Sequence, residues 1–274
     1  MIGDFFSSWS LFWQTYLTSI FASVALSFVG VFAVTRGQVF VAAAISQASL
    51  LGIAVALKFG WELFGLSSVV FCVLASLFIS GKPSDQGHIS EEKTGLVFLF
   101  SASLAIILLM GLPNGMRQLQ SISSSTVLGA GIVDLILFGA LALISAIVYF
   151  TKKNQMVLFI SDPVMAASVG LNISLMALVI GVSTGLVAGL GIQTAGMLFA
   201  FGVMVLPAFT ARNICRSLGT MFVLAPLISV LGTLVGLFIS VAADLPPGQA
   251  SVFTHSVLLL CSWIWKEFRH WIQP

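Results

Sequence analysis

The sequence predicts an all-α membrane protein: one bundle of eight or nine transmembrane helices, with the amino terminus outside the cell and the carboxyl terminus in the cytoplasm. Three observations predict it. Apolar residues make up 59% of the 274 residues and charged residues only 7%, against about 25% charged in an ordinary soluble domain. The mean hydropathy is +1.12. Every charged residue falls between or at the ends of nine apolar stretches, as expected when an ionised group at mid-bilayer costs at least about 2.5–3.5 kcal/mol. Too few polar groups remain to cover a soluble globule, and the net charge of +2 implies no nucleic-acid partner. Helix is required because lipid offers the backbone no hydrogen-bond partner, and the alternating ten-residue strands of a barrel are absent.

The stretches follow in order, each near the roughly 20 residues that cross about 30 Å of hydrocarbon. Residues 12–34 form the first; the segment before it carries Asp4 and no Lys or Arg, so no cleaved leader is expected. The second, 39–57, has a stripe of small residues (Ala44, Ala48, Gly52, Ala56) and the polar Ser46, Gln47 and Ser49. The third and fourth are 62–80 and 94–112. Residues 114–132 are polar enough to be a partly re-entrant outer element before the fifth stretch, 133–150. The sixth, 172–190, repeats glycine at Gly181, Gly185 and Gly189, and a very tight turn at 189–191 leads into the seventh, 192–211. Gln193 and Thr194 open that seventh stretch, and Pro207 is expected to kink it. The eighth, 218–240, carries Gly232, Gly236 and Ser240; the ninth, 249–265, holds Thr254 and His255. Small residues four apart share a helix face and admit a neighbouring backbone. Cys72, Cys215 and Cys261 form no paired motif and are expected to be small buried hydrophobes.

The basic residues set the sidedness. With the amino terminus outside, Arg36, Lys82, Lys93, Lys152, Lys153, Arg212, Arg216, Lys266 and Arg269 become cytoplasmic, while Lys58 and Arg117 lie outside. That distribution follows the positive-inside rule.

Polar side chains within the spans are the candidates for function. Gln47 either lines a solvated path or hydrogen-bonds a neighbouring helix; His255, with no second ligand near it in sequence, reads as interhelical glue. No HExxH or Walker A pattern occurs, so neither zincin nor nucleotide chemistry is signalled. No acid or base sits mid-span, unlike an ion-driven carrier. A transporter of this kind needs work from outside, and the cytoplasmic loop 152–170 offers an entry point. There Ser161 or Asp162 suits an N-cap, Pro163 the first helical position and Gly170 the helix end. A short helix of about two turns is predicted within 159–171, either as an interfacial connector or as a docking helix for a soluble motor.

Several segments carry a resemblance. Residues 35–52 (TRGQVFVAAAISQASLLG), 91–95 (EEKTG), 159–170 (FISDPVMAASVG), 193–212 (QTAGMLFAFGVMVLPAFTAR) and the loop 244–248 resemble, in the right order, the permease subunits of the ABC-3 family, which import zinc, manganese or iron. The resemblance implies a single permease domain over 1–274 in the inner (cell) membrane of a bacterium. It implies a second permease subunit, as homo- or heterodimer, a cytoplasmic ATP-binding cassette dimer that holds ATP and magnesium, and an extracytoplasmic metal-binding protein. The chain itself would bind no cofactor. Asp162, Pro163, Ala166 and Gly170 would form the coupling helix, and Ser46, Gln47 and Gln193 the translocation path. Asp134 matches an outer aspartate, and Gly196, Pro207 and Ala208 match structural positions.

One departure stands out. Where the family has an aspartate and a histidine four residues apart in the second span, this chain has Ala43 and Gln47. Alanine offers no ligand, and an amide is a weak neutral one. Three readings follow: a polar path with selectivity held by the binding protein, ligands supplied by a non-identical partner permease, or a cargo other than a bare metal. The rival classes are a self-sufficient channel or secondary carrier, and a structural subunit of another complex. An intramembrane enzyme is disfavoured, since no nucleophile–base pair can be assembled.

Overall fold

A computed structural model describes residues 2–61, 64–80, 91–112, 115, 117 and 130–272. Ten helices occupy them: α1 (Ile2–Thr35), α2 (Val39–Phe59), α3 (Phe64–Ser80), α4 (Glu91–Met110), α5 (Ile132–Ser161), α6 (Pro163–Ser168), α7 (Ile173–Ala195), α8 (Met197–Ile214), α9 (Leu218–Ala243) and α10 (Pro247–Ile272). No strand occurs among the described residues. Seven helices are long and apolar enough to cross a membrane: α1 from Phe12 onward, α2, α4, α5, α7, α8 and α9. The expected third stretch lies on α3, which at 17 residues is about 25 Å long, a little short of the hydrocarbon thickness. The ninth lies on α10. Most of the expected outer element, 114–132, lies outside the described residues.

The helices pack as two groups. In one, α2 lies against α3 and α4, and α3 against α7; in the other, α1 packs on α5, α8 and α9, and α10 packs on α8 and α9. Helix α7 also touches α1 and α8 and so joins the groups. The larger group holds the main core, with Leu26, Val31, Phe138, Phe199 and Met204 fully buried. Phe28 and Phe32 of α1, Tyr149 of α5 and Phe222 of α9 form an aromatic cluster with ring centroids 5.0–6.5 Å apart.

Lipid tails are as apolar as these side chains, so close backbone approach and interhelical hydrogen bonds hold the bundle. The glycine stripes act as expected. A Cβ on Gly52 would lie 2.7 Å from the Ser67 carbonyl oxygen, and one on Gly185 would lie 2.7 Å from that of Cys72. A polar seam runs beside them: Ser49 and Ser68 share a 2.7 Å hydrogen bond, and the Ser76 hydroxyl donates to the Gly181 carbonyl. Between α1 and α9, Ser229 donates to the Ser23 carbonyl at 3.0 Å. Gly185→Leu is expected to wedge α3 from α7 at a cost of about 1–3 kcal/mol, read as a lower melting temperature in detergent. An unchanged melt would show that the α3–α7 seam is not under close contact.

Three expectations are corrected. The loop 152–170 is shorter than expected, because α5 continues through Lys152 and Lys153 to Ser161. No Gly or Pro interrupts 151–161, and the helix stops only where Pro163 forces the residue before it, Asp162, into extended backbone (φ −148°). The turn at 189–191 is absent. Gly189 packs on Val69 and Cys72, and Gly191 on Leu26 and Ala200, all inside helical bundle contacts. The chain turns instead at Gly196, whose φ of +86° favours glycine; Gln193 and Thr194 therefore close α7 and do not open α8. Of the cysteines only Cys72 is buried, while Cys261 is exposed.

Candidate functional site

Helix α6 sits at the far end of α5. The Asp162 carboxylate accepts a 2.9 Å hydrogen bond from the Met165 backbone N–H, and Pro163 occupies the first turn, where its missing N–H costs nothing. The far end closes through Gly170 (φ +89°), whose N–H donates to the Ala167 carbonyl while that of Leu171 donates to Ala166. Ala166 is fully buried and pins the helix; Val164, Met165 and Val169 are exposed. The six-residue helix and its cap residue Val169 thus turn three apolar side chains outward.

The base of this element is clamped. Arg36, just past the end of α1, places its guanidinium 4.3 Å from the ring centre of Phe159, in the last turn of α5. Burial lowers the Arg36 pKa from the usual arginine value, and the group still carries its charge at any physiological pH. Such a cation–π contact is worth about 0.5–2 kcal/mol. The sequence signal for it was an arginine directly after an apolar span; its ring partner, 123 positions on, gave none.

The polar span residues divide. Gln47 is half-buried, and its amide reaches the Met197 sulfur at 3.8 Å, which places it against the α7–α8 corner at Gly196. Ser46 is buried and donates to the Ala42 carbonyl of its own helix at 2.9 Å, so its hydroxyl satisfies α2. Gln193 is exposed in the last turn of α7, with its amide over Gly65 of α3. Ala43 and Gln47 lie one helical turn apart and are both half-buried. Among the described residues, no three His, Cys, Asp or Glu side chains form a group that would hold a metal.

The remaining candidates are structural. The two ring nitrogens of His255 lie 2.7 Å from the Ser251 carbonyl and 3.2 Å from that of Ser229, which joins α10 to α9 over Gly232. Asp134 accepts from the Gly131 N–H at 2.9 Å and caps α5. Pro207 is buried inside α8, which runs unbroken past it.

This architecture has known counterparts. The chain is 26% identical over 252 residues to the manganese transport system membrane protein MntC of Halalkalibacterium halodurans, covering 92% of this chain and 86% of that protein. It is 25% identical to the high-affinity zinc uptake system membrane protein ZnuB of Haemophilus influenzae, covering 92% and 96%. The fold superposes on PsaBC from Streptococcus pneumoniae, solved in complex with Fab, with a TM-score of 0.80 at 23% identity, over 96% of this chain and 95% of that one. The signature of the ABC 3 transport family matches residues 8–266, nearly the whole length, and the chain belongs to that family.

Proposed function

We propose that this protein is the permease subunit of an ATP-binding cassette importer for divalent metal cations, manganese or zinc, working as one of a pair of permease chains. The family match across residues 8–266 carries the proposal, and relatives named for manganese and zinc transport support the cargo class. The protein resides in a bacterial inner (cell) membrane and crosses it several times. ATP hydrolysis belongs to a separate subunit, which docks on the exposed apolar face of α6. An extracytoplasmic binding protein delivers the cargo to the opposite face.

The mechanism is alternating access. Closure of the motor dimer on ATP pushes the two copies of α6, and each α5 carries the motion into the bundle. The path between the two chains passes Gln47 and the Gly196 corner, with Gln193 near its outer end. A bare divalent ion in low dielectric pays a severe solvation penalty. The amide at 47 offers polar lining to a hydrated ion, and selectivity rests with the binding protein. In this reading α3 and α10 complete nine crossings, with α6 in the cytoplasm.

The test is the manganese, zinc and iron content of cells lacking the gene, with and without complementation. Loss of one metal, restored by the wild-type chain, is expected; unchanged content of all three would overturn the cargo. Purified chain alone in liposomes is expected to move no metal, and unaided uptake would favour the rival channel or carrier. Sidedness is read separately. In a cysteine-free background, Val164→Cys should react with a membrane-impermeant maleimide only from the cytoplasmic side, and Leu245→Cys only from outside.

A further inference from the structure

A cleft of about 660 Å³ separates α5 from α7, with α1 as its floor. Its two ends differ in chemistry. Leu141 of α5 and Leu186 and Val187 of α7 line the deep end, while Lys152, Gln155 and Asn172 stand at the other. Two serines on the walls add no free polarity: Ser145 donates to the Leu141 carbonyl at 2.7 Å and Ser183 to that of Ile180 at 2.9 Å. No carboxylate belongs to the lining, and Lys152 is exposed and forms no ion pair among the described residues. Along α5 the cleft runs from Leu141 to Met156, about 22 Å at 1.5 Å per residue. That equals about half the roughly 40–45 Å of a bilayer with its headgroups.

We propose that this cleft is a binding site for one anionic phospholipid of the cytoplasmic leaflet, with the phosphate beside Lys152 and the acyl chains lying along α5 and α7. Within a membrane the apolar part of a cleft open to the side meets hydrocarbon and not water. Ile144 and Val148 of its α5 wall are exposed, as is Ile147 next to them, so the cleft opens toward lipid. Lys152 is the one cation of the lining, with no carboxylate there, and a cation so placed favours a negative headgroup over a zwitterionic one. The leaflet assignment rests on the sidedness proposed above; the site itself does not.

The full chain, purified in detergent and stripped of lipid, is titrated with phosphatidylglycerol and with phosphatidylcholine of the same acyl chains, and bound lipid is counted by native mass spectrometry. One phosphatidylglycerol per chain is expected, retained about tenfold more tightly than phosphatidylcholine. Lys152→Ala, an exposed position, should remove most of that preference and leave phosphatidylcholine binding unchanged. Val182→Trp, which fills the cleft, should lower retention of both. Equal retention of the two lipids, an unaltered preference in Lys152→Ala, or a second copy of the chain occupying the cleft would each overturn the site. Detergent has no sides and the titration needs no ATPase. Reversed maleimide labelling or absent metal uptake would therefore strike the transport proposal and leave the lipid result standing.

Discussion

Ala43→Asp combined with Gln47→His is expected to create a metal-holding site between the two chains of the proposed pair. The two positions lie one turn apart on α2 and are both half-buried, with the residue-47 amide already turned toward the Met197 corner. An imidazole nitrogen bonds zinc at about 2.0–2.1 Å and a carboxylate at about 2.0–2.2 Å, and zinc favours four ligands. Two ligands from each chain of a pair would complete that set. After dialysis, metal analysis should give close to one zinc or manganese per pair of variant chains and almost none for the wild type. Uptake should slow, because an ion held by four ligands leaves more slowly than one passing an amide. A folded variant without metal would mean that residues 43 and 47 do not face their counterparts across the path, and the proposed route between the chains past Gln47 would fall.

Uptake driven by ATP is expected to fall more than tenfold when Asp162 and Gly170 are replaced together by Leu. Asp162→Leu removes the carboxylate that accepts from Met165, an N-cap loss of about 1 kcal/mol. Gly170→Leu places a side chain where φ is +89°, a left-handed conformation that costs an L residue roughly 1–2 kcal/mol. Both residues are exposed and lie outside the bundle core, so membrane insertion and the detergent melt should change little. The six-residue helix, however, loses both ends and with them the fixed orientation of Val164, Met165 and Val169. Normal uptake in this variant would remove α6 from the coupling role. Fast ATP hydrolysis without uptake is the signature expected if motor and permease have been disconnected.

Much of this fold was legible because lipid leaves the chain few choices. Charge segregation and hydropathy located the helices, and the stripes at Gly52 and Gly185 marked where α2 and α7 meet α3. The α6 cap was readable from Asp162 and Pro163, since those preferences are local. The boundary at Gly196 was not. Gly189, Gly191 and Gly196 look alike in sequence, and only the tertiary contacts of the first two separate packing glycines from the turning one. Ser46 carries a related ambiguity: a serine in a helix can donate to the preceding turn, as its bond to Ala42 shows, and the sequence does not distinguish that from a hydroxyl left for a path. Distant partners, such as Phe159 for Arg36 and Met197 for Gln47, leave no local trace.

The uninterrupted run of α5 has a mechanical consequence. Thirty residues make a rod about 45 Å long, which overshoots roughly 30 Å of hydrocarbon by about half its thickness again. In the proposed assembly, a motor gripping the tip would act on a long arm whose fulcrum lies inside the bilayer. About a fulcrum at mid-rod, a swing of about 5° would sweep that tip through roughly 2 Å, so a small stroke at the tip suffices to tilt the whole rod, and Arg36 on Phe159 ties that tilt to α1.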